Sequence, residues 1–466
     1  MTSNKSRSPK PLSRRAVVRA TALAGTAFGA CLAAGRGPLG FVRDAWAEKA
    51  YPALGNYPIK GSTVKFGFTV PLTGAYTDEG NDEIKAYKLA LKHINEGGGI
   101  LSTLKPLNLK GQGILGKKVD FVSGDNQTKP DAARENARRM IERDGIIMYS
   151  GCSSSAVAVA LQYLAQEKGV IYMVGLSHSN DTTGKDRRRY GFREFFDAYM
   201  SGVALGPILA KEYGKDRRAF HLTADYTWGH TQYQSMKDAT EKQGWKTVKN
   251  IMTPLGTKDF SQYLTAVLNS DADVVVLNHY GADMVNSLTQ AVRFGMRDKQ
   301  VNGKHMQIVV PLYSRLMAKG AGAKNIEGIL GTVNWNEKLT DAGSKIFVKA
   351  FQDVYKEPPS QAAQTAYLQT ILYANAVERA GTFYPPEVIK ALEGFEYEGF
   401  GPGKSTYRAS DHQVFKDIYV VRGKAPSKMA NQFDLLEIVE QIPRKEVEYD
   451  SKLLGGDLGP YIPNKT

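Results

Sequence analysis

Cysteine is nearly absent: the 466-residue chain has two, Cys31 and Cys152. Two thiols cannot build a disulfide scaffold and are too few for a structural zinc site. Long apolar runs are missing as well. The most apolar stretch, residues 20–35, is Ala/Gly/Val-rich and too short to span a bilayer as a stable helix. No Walker loop, Gly-x-Ser-x-Gly elbow or His-Glu-x-x-His string occurs, and the seven histidines form no cluster. The residues therefore call for no metal and no cofactor. Repeats and low-complexity tracts are lacking too. What remains is globular, with 42% hydrophobic and 10% aromatic residues, which excludes a disordered, collagenous or multi-span membrane chain. The length fits about three folding units or two large lobes.

Charge is unevenly placed. The formal net charge is +14, which raises the question of nucleic acid or an anionic membrane. Residues 1–47 hold eight Lys/Arg against the single acid Asp44, so half of that charge sits at the N-terminus. The rest is spread without a basic run, which argues against nucleic acid. Arg14-Arg15 precedes the mildly apolar stretch, and Ala45-Trp46-Ala47 supplies a small-x-small ending before Glu48. A basic region, a modest apolar region and such an ending are the anatomy of an export signal. Ser13 to Arg19 resembles a twin-arginine signal, with Val17 where Phe is usual. Two alternatives stand beside this: a disordered basic tail before a buried Ala-rich helix, and lipidation at Cys31. Cleavage after Ala47 leaves one thiol, Cys152, read as a small buried apolar residue.

From residue 62, strand-length apolar runs alternate with helical periodicity. Strands are expected at 64–70, 119–122, 146–150 and 170–174, with helices over 83–95, 130–143 and 157–166. The rhythm breaks near Arg187-Arg188-Arg189 and restarts with strands at 219–223, 274–277 and 307–310 and a helix over 233–242. Such alternation means parallel sheets covered by helices, and two runs of it mean two α/β lobes. Residues 424–466 show no clear period and read as a mostly irregular tail packed over a lobe.

Ligands of open parallel sheets bind outside the carboxyl ends of the strands, where the strand order reverses. The loops after strands are therefore the place to look. Gly151-Cys152-Ser153-Ser154-Ser155 opens a helix, and one serine there can be its N-cap, leaving two for a ligand. Ser177-His178-Ser179-Asn180-Asp181 is again dense in short polar groups. Tyr76, Tyr226, Trp228 and Tyr280 follow strands and can wall an aromatic pocket. A serine adjacent in sequence to a histidine is not a nucleophile–base pair, so no catalytic set is visible.

PLTGAYTDEG with INEGGGI, then DNQTKPDAARENARRMIERDGIIMYSGCSSSAVAVA, VIYMVGLSHSND, DYTWG and NIEGILGT resemble in order and spacing the leucine/isoleucine/valine-binding family of periplasmic solute-binding proteins. The resemblance covers roughly residues 62–423. It implies a type I periplasmic-binding fold: two doubly wound parallel-sheet lobes joined by three hinge crossings. The lobes would be 62–198 plus 332–400 and 199–331 plus 401–423. It further implies a monomeric receptor that closes on a small solute for the permease of an ABC transporter. Carried over, Ser153, with Ser154 beside it, takes the ligand carboxylate, and Ser177 and Ser179 stand at the positions meeting the amino group. A register shift of one would bring in Leu176 and His178. Trp228 replaces one aromatic wall residue, and Tyr280 matches another. Glu79 stands where the family tends to have an aromatic. The acid expected after Val310-Pro311 is replaced by Leu312-Tyr313-Ser314. A buried α-ammonium needs a counter-charge, which Glu79 or Asp283 would have to supply. Relatives also bind amides, urea-like solutes and organic acids. An exported amidase-like hydrolase using Ser153 or Cys152, and a ligand-sensing module of the same fold, are the competing functions. If the export reading holds, replacing Arg14 and Arg15 together by lysine abolishes periplasmic accumulation, and mass spectrometry of the mature N-terminus finds Glu48.

Overall fold

Residues 51–463 are described by the structure, a computed structural model; the export segment and Cys31 lie outside them. Five strands come first: β1 Thr63–Val70, β2 Lys118–Asp125, β3 Met148–Gly151, β4 Ile171–Val174 and β5 Gly191–Arg193. They form one parallel sheet in the order β2-β1-β3-β4-β5. Then follow β6 Arg218–Ala224, β7 Lys246–Thr253, β8 Val274–Asn278, the short hairpin β9 Gln300–Val301 and β10 Lys304–His305, β11 Gln307–Leu312 and β12 Leu330–Val333. A small antiparallel sheet holds β13 Glu396–Glu398, β14 Lys404–Tyr407 and β15 Val414–Phe415, and the chain ends its sheets with β16 Ile418–Gly423 and β17 Leu436–Ile442. The second large sheet runs β17-β16-β12-β11-β8-β6-β7, parallel except for its last two strands in sequence. β3, β4, β8 and β12 are buried along their whole length, which is why their sequences show no alternation of apolar with charged residues.

β1 lies between β2 and β3, and β6 between β7 and β8, so each sheet has a switch point at the carboxyl end of its first strand. β12, whose residues 332 and 333 sequence analysis assigns to the first lobe, pairs in the second sheet with β11 and β16. The β13–β15 sheet, part of which was expected in the second lobe, is tied to the first: Lys105 bridges Glu398, and the Tyr407 ring meets Phe192. The tail is more than a cover. It supplies β17 to the second sheet, then returns along the first lobe, where Gln166 donates to the Pro460 carbonyl at 3.0 Å and Arg189 to that of Gly459 at 3.0 Å.

The crossings between the lobes are held by buried charge. Arg193, fully buried, uses all five of its N–H groups: Nε donates to Gln413, one terminal nitrogen to the carbonyls of Ser177 and Ser179, the other to Thr183 and Asp197. Tyr449 of the tail donates to the same Asp197, and Glu194 pairs with Lys416. Asp197 also caps the helix Ala198–Tyr213 by accepting from the Met200 N–H. Breaking a buried pair leaves an uncompensated charge. Arg193→Met should accordingly lower stability by about 3–5 kcal/mol in urea unfolding. Arg422→Ala, which removes the part-exposed pair with Glu212, should cost under about 1 kcal/mol.

Candidate functional site

The β1 switch point opens the site. After Val70 the chain turns through residues 71–76 into the helix Thr77–Glu96, whose first turn lies against that turn. Gly80 permits it, since a Cβ there would stand 2.1 Å from the Pro71 carbonyl oxygen. Tyr76, Glu79 and Glu83 follow one another at spacings of three and four, so they share a helix face, and all three are buried. From the carboxyl end of β3, Gly151 and Cys152 turn sharply, at φ +115° and +92°, to deliver three serines to the start of the helix Ser155–Lys168. A Cβ on Gly151 would meet the Thr69 carbonyl at 2.3 Å. The three hydroxyls have different tasks. Ser153 donates to Glu83 at 2.9 Å. Ser154 occupies the N-cap position but makes no cap bond, and its hydroxyl has no partner. Ser155 accepts from the His178 and Ser179 N–H groups.

The second lobe closes over this surface. Tyr226 meets Tyr76 hydroxyl to hydroxyl at 2.7 Å, and the Ala282 N–H donates to the Ala75 carbonyl at 3.0 Å. Gly281 makes that approach possible: it sits at φ +56°, and a Cβ would lie 2.5 Å from the Tyr76 ring. Tyr280 packs against Tyr76 and Trp228, with ring centroids 5.6 and 6.2 Å apart. Gln361, at the start of the helix Gln361–Ala380, and Ser314 stand beside the Tyr280 hydroxyl, but neither reaches hydrogen-bonding geometry. Buried polar atoms without a partner therefore gather at this boundary: both Glu79 oxygens, Glu83 Oε2, the Ser154 and Tyr280 hydroxyls, Trp228 Nε1 and both ends of the Gln361 amide. Such atoms are rare in a native interior and call for an explanation.

Electrostatics follow from burial. Desolvation pushes the Glu79 carboxyl up to about 8, with Asp78 and Asp82 adding to the rise; its own backbone N–H opposes this without reaching hydrogen-bonding geometry. The helix N-terminus favours a carboxylate by about 1 kcal/mol or less, too little to offset that burial. Glu83 is raised well above the usual range by burial, which outweighs the Ser153 hydrogen bond. Asp82 accepts from the Ser360 N–H at 2.9 Å and feels Arg315. Burial lifts Asp283 to about 6, opposed by the Gly256 N–H that its carboxylate accepts.

Tyr76, Glu79, Ser153, Ser154, Tyr226, Trp228 and Tyr280 thus meet. Other expected residues are occupied elsewhere. Ser177 bonds Thr182 at 2.6 Å, and Ser179 accepts from the Asp181 N–H and reaches towards Thr227. His178 bonds the Phe196 carbonyl through Nδ1 and stacks its edge on Phe196; burial lowers its pKa to about 3, so it is neutral. Tyr313 is buried with Arg297 as its charged neighbour, and Asp283 holds the 254–257 turn. Glu83, Gln361 and Ser314 were not foreseen. Glu83 was within reach of sequence reasoning, one helical turn from Glu79. Catalysis is poorly served: burial pushes the Cys152 thiol up, no histidine or lysine faces Ser153, and the free oxygen of Glu83 is held by no third group. Among the described residues no group of His, Cys, Asp and Glu is placed to hold a metal ion.

Two α/β lobes meet at facing switch points over buried polar groups that have no partner. The family model described as periplasmic binding protein matches residues 63–428, and the chain belongs to that family. The Leu/Ile/Val-binding protein homolog 8 of Brucella abortus is 24% identical over 348 residues, 72% of this chain and 80% of that one. A periplasmic binding protein from Burkholderia mallei superposes with a TM-score of 0.75 at 25% identity, over 84% of this chain and 98% of that one. An ABC-transporter solute-binding protein of Rhodopseudomonas palustris, solved with 3,4-dihydroxybenzoic acid, gives 0.70 at 21% identity, over 82% and 98%. The family and fold are those of non-enzymatic receptors; membership implies a small-molecule ligand, a permease partner and a periplasmic location. No helix among the described residues is long and apolar enough to cross a membrane. Glu79 predicts a pH signature for the unliganded protein. Its folded value lies above the ordinary 4.5, so the native state holds the extra proton and stability falls as pH rises from about 4.5 to 8. Glu79→Gln should flatten part of that fall in thermal melts across pH 5–8.5.

Proposed function

We propose that the protein is the exported, monomeric receptor of an ABC importer, capturing a small polar solute between its lobes by hinge closure. One observation carries this reading: unpartnered buried polar atoms from both lobes converge where the two switch points face each other. A bound solute would satisfy them, and it would favour the closed arrangement because only there do Glu79 and Tyr280 act on one molecule. Tyr76, Trp228 and Tyr280 form the walls, while Glu79, Ser154 and Gln361 face the polar end. Ser153 acts through Glu83; Ser177 and Ser179 shape their loop. The names of relatives span branched-chain amino acids and a dihydroxybenzoic acid, so kinship leaves the solute open.

Screening amino acids, amides, organic acids and amines by thermal shift tests this, because a ligand at 100 times its dissociation constant stabilises by about 2.7 kcal/mol. The expected result is stoichiometric binding without turnover, with a smaller radius of gyration by X-ray scattering. Trp228→Ala should weaken binding more than tenfold through lost apolar contact, by roughly 2 kcal/mol or more. Turnover of an amide that Ser153→Ala abolishes would overturn the receptor reading.

A further inference from the structure

The charge balance of the pocket has one sign. Glu79 and Glu83 are each about 99% buried, at 1% exposure, and three of their four oxygens have no partner. The charged groups acting on them are other acids: Asp78 and Asp82 on Glu79, Glu79 and Asp82 on Glu83. Arg315 acts on Asp82 and Glu337 and donates to the Pro358 carbonyl, without pairing to either glutamate. From the second lobe the neighbour is the neutral phenol of Tyr280, on which both glutamates act. The Tyr76, Tyr226 and Trp228 rings form one contiguous cluster with that phenol. Buried carboxyls beside a cluster of aromatic rings are the chemistry of cation recognition, since ring faces attract positive charge and a buried carboxylate needs it. An anionic solute would find no counter-charge there and would oppose ionisation of either glutamate. Ser153 has already given its one proton to Glu83, so it has none to offer a ligand carboxylate.

We propose that the captured solute is an organic cation, an ammonium or amidinium on a small apolar body, whose charged nitrogen sits on Glu79 beside Glu83 and within the Tyr76, Trp228 and Tyr280 rings. This rests on the capture reading and narrows it. Glu79 then does what no aromatic could do in its place: it selects the sign of the ligand's charge. Cation binding draws Glu79 back to its ionised form. With its unliganded value near 8, the protein releases close to one proton per cation bound at pH 7.

Matched probes on benzyl, isobutyl and ethyl bodies decide the matter: the primary ammonium, the neutral amide and the carboxylate of each, with phenylalanine and leucine as zwitterions. The ammonium is expected to bind most tightly in at least one series. Glu79→Gln should weaken it on the order of ten- to hundredfold while leaving the amide within a few-fold. Calorimetry in phosphate and in Tris should show the proton release in the native protein and its loss in the variant. A carboxylate, amide or zwitterion outranking every ammonium overturns the proposal and leaves capture intact, as does an unchanged ammonium affinity in Glu79→Gln. Should no matched probe bind, the charge of whichever solute binds in the wider screen decides it. Binding by none of them in either panel overturns capture and this proposal together.

Discussion

Arg193 is the point on which the two lobes hang. A guanidinium offers five donors in one plane, and here they meet acceptors from three stretches of chain: Ser177, Ser179 and Thr183 of one loop, Asp197, and Gln413. A lysine would bring three donors from a single point and could not span them. Such a group is costly to bury, and burial lowers its pKa, but Asp197, Asp411 and Tyr449 act in the opposite direction and hold the charge. Full satisfaction matters more than the strength of any single bond, because a partly satisfied polar network in a dry interior is worse than an apolar one. The hinge is thereby specified in geometry without being welded: its members lie on segments that meet at one place.

The pocket is built on the opposite rule. At the hinge every N–H of Arg193 is met, whereas at the Glu79–Glu83 face most polar atoms are left open. Leaving a buried carboxyl unpaired costs several kcal/mol, and the left-handed Cys152 adds backbone strain of order 1–3 kcal/mol. A sequence optimised for stability alone would replace Glu79 with an apolar side chain. Two lobes with large apolar cores can carry that penalty, and a solute that satisfies these atoms recovers it on binding.

Much of this was legible in the sequence, for reasons that differ by element. β3, β4 and β8 are short apolar runs because both their faces are covered, and such runs stand out. β7, Lys246–Thr253, is an edge strand with only its last residue buried, so KTVKNIMT carries no pattern to read. β17 is similar, and the tail holding it was read as irregular. The helix expected from Tyr233 begins at Thr227, because Trp228 and Gly229 are buried in its first turn although neither is a strong helix former. Glu79 was visible as a departure from a motif; Gln361 was not, since nothing in its own stretch of sequence says that the helix it opens starts at the far wall of the cleft. The serine loops misled in one respect. Density of hydroxyls marks a place where backbone turns need partners as readily as it marks a ligand site.

The 177–183 loop shows how hinge and pocket share parts. From below, Arg193 holds the Ser177 and Ser179 carbonyls; from the side, Ser155 at the head of its helix accepts the His178 and Ser179 N–H groups. From the facing lobe, Thr227 donates to Asp181 at 2.7 Å, one residue before Trp228 enters the aromatic wall. A rotation of the lobes that breaks the Thr227 contact must therefore move Trp228 with it, while the loop stays fixed to the first lobe by five hydrogen-bonding groups. Ser177 and Ser179 contribute through this stiffness. A hydroxyl bound into the fold cannot follow a ligand, but it can keep a wall in place while the other wall moves.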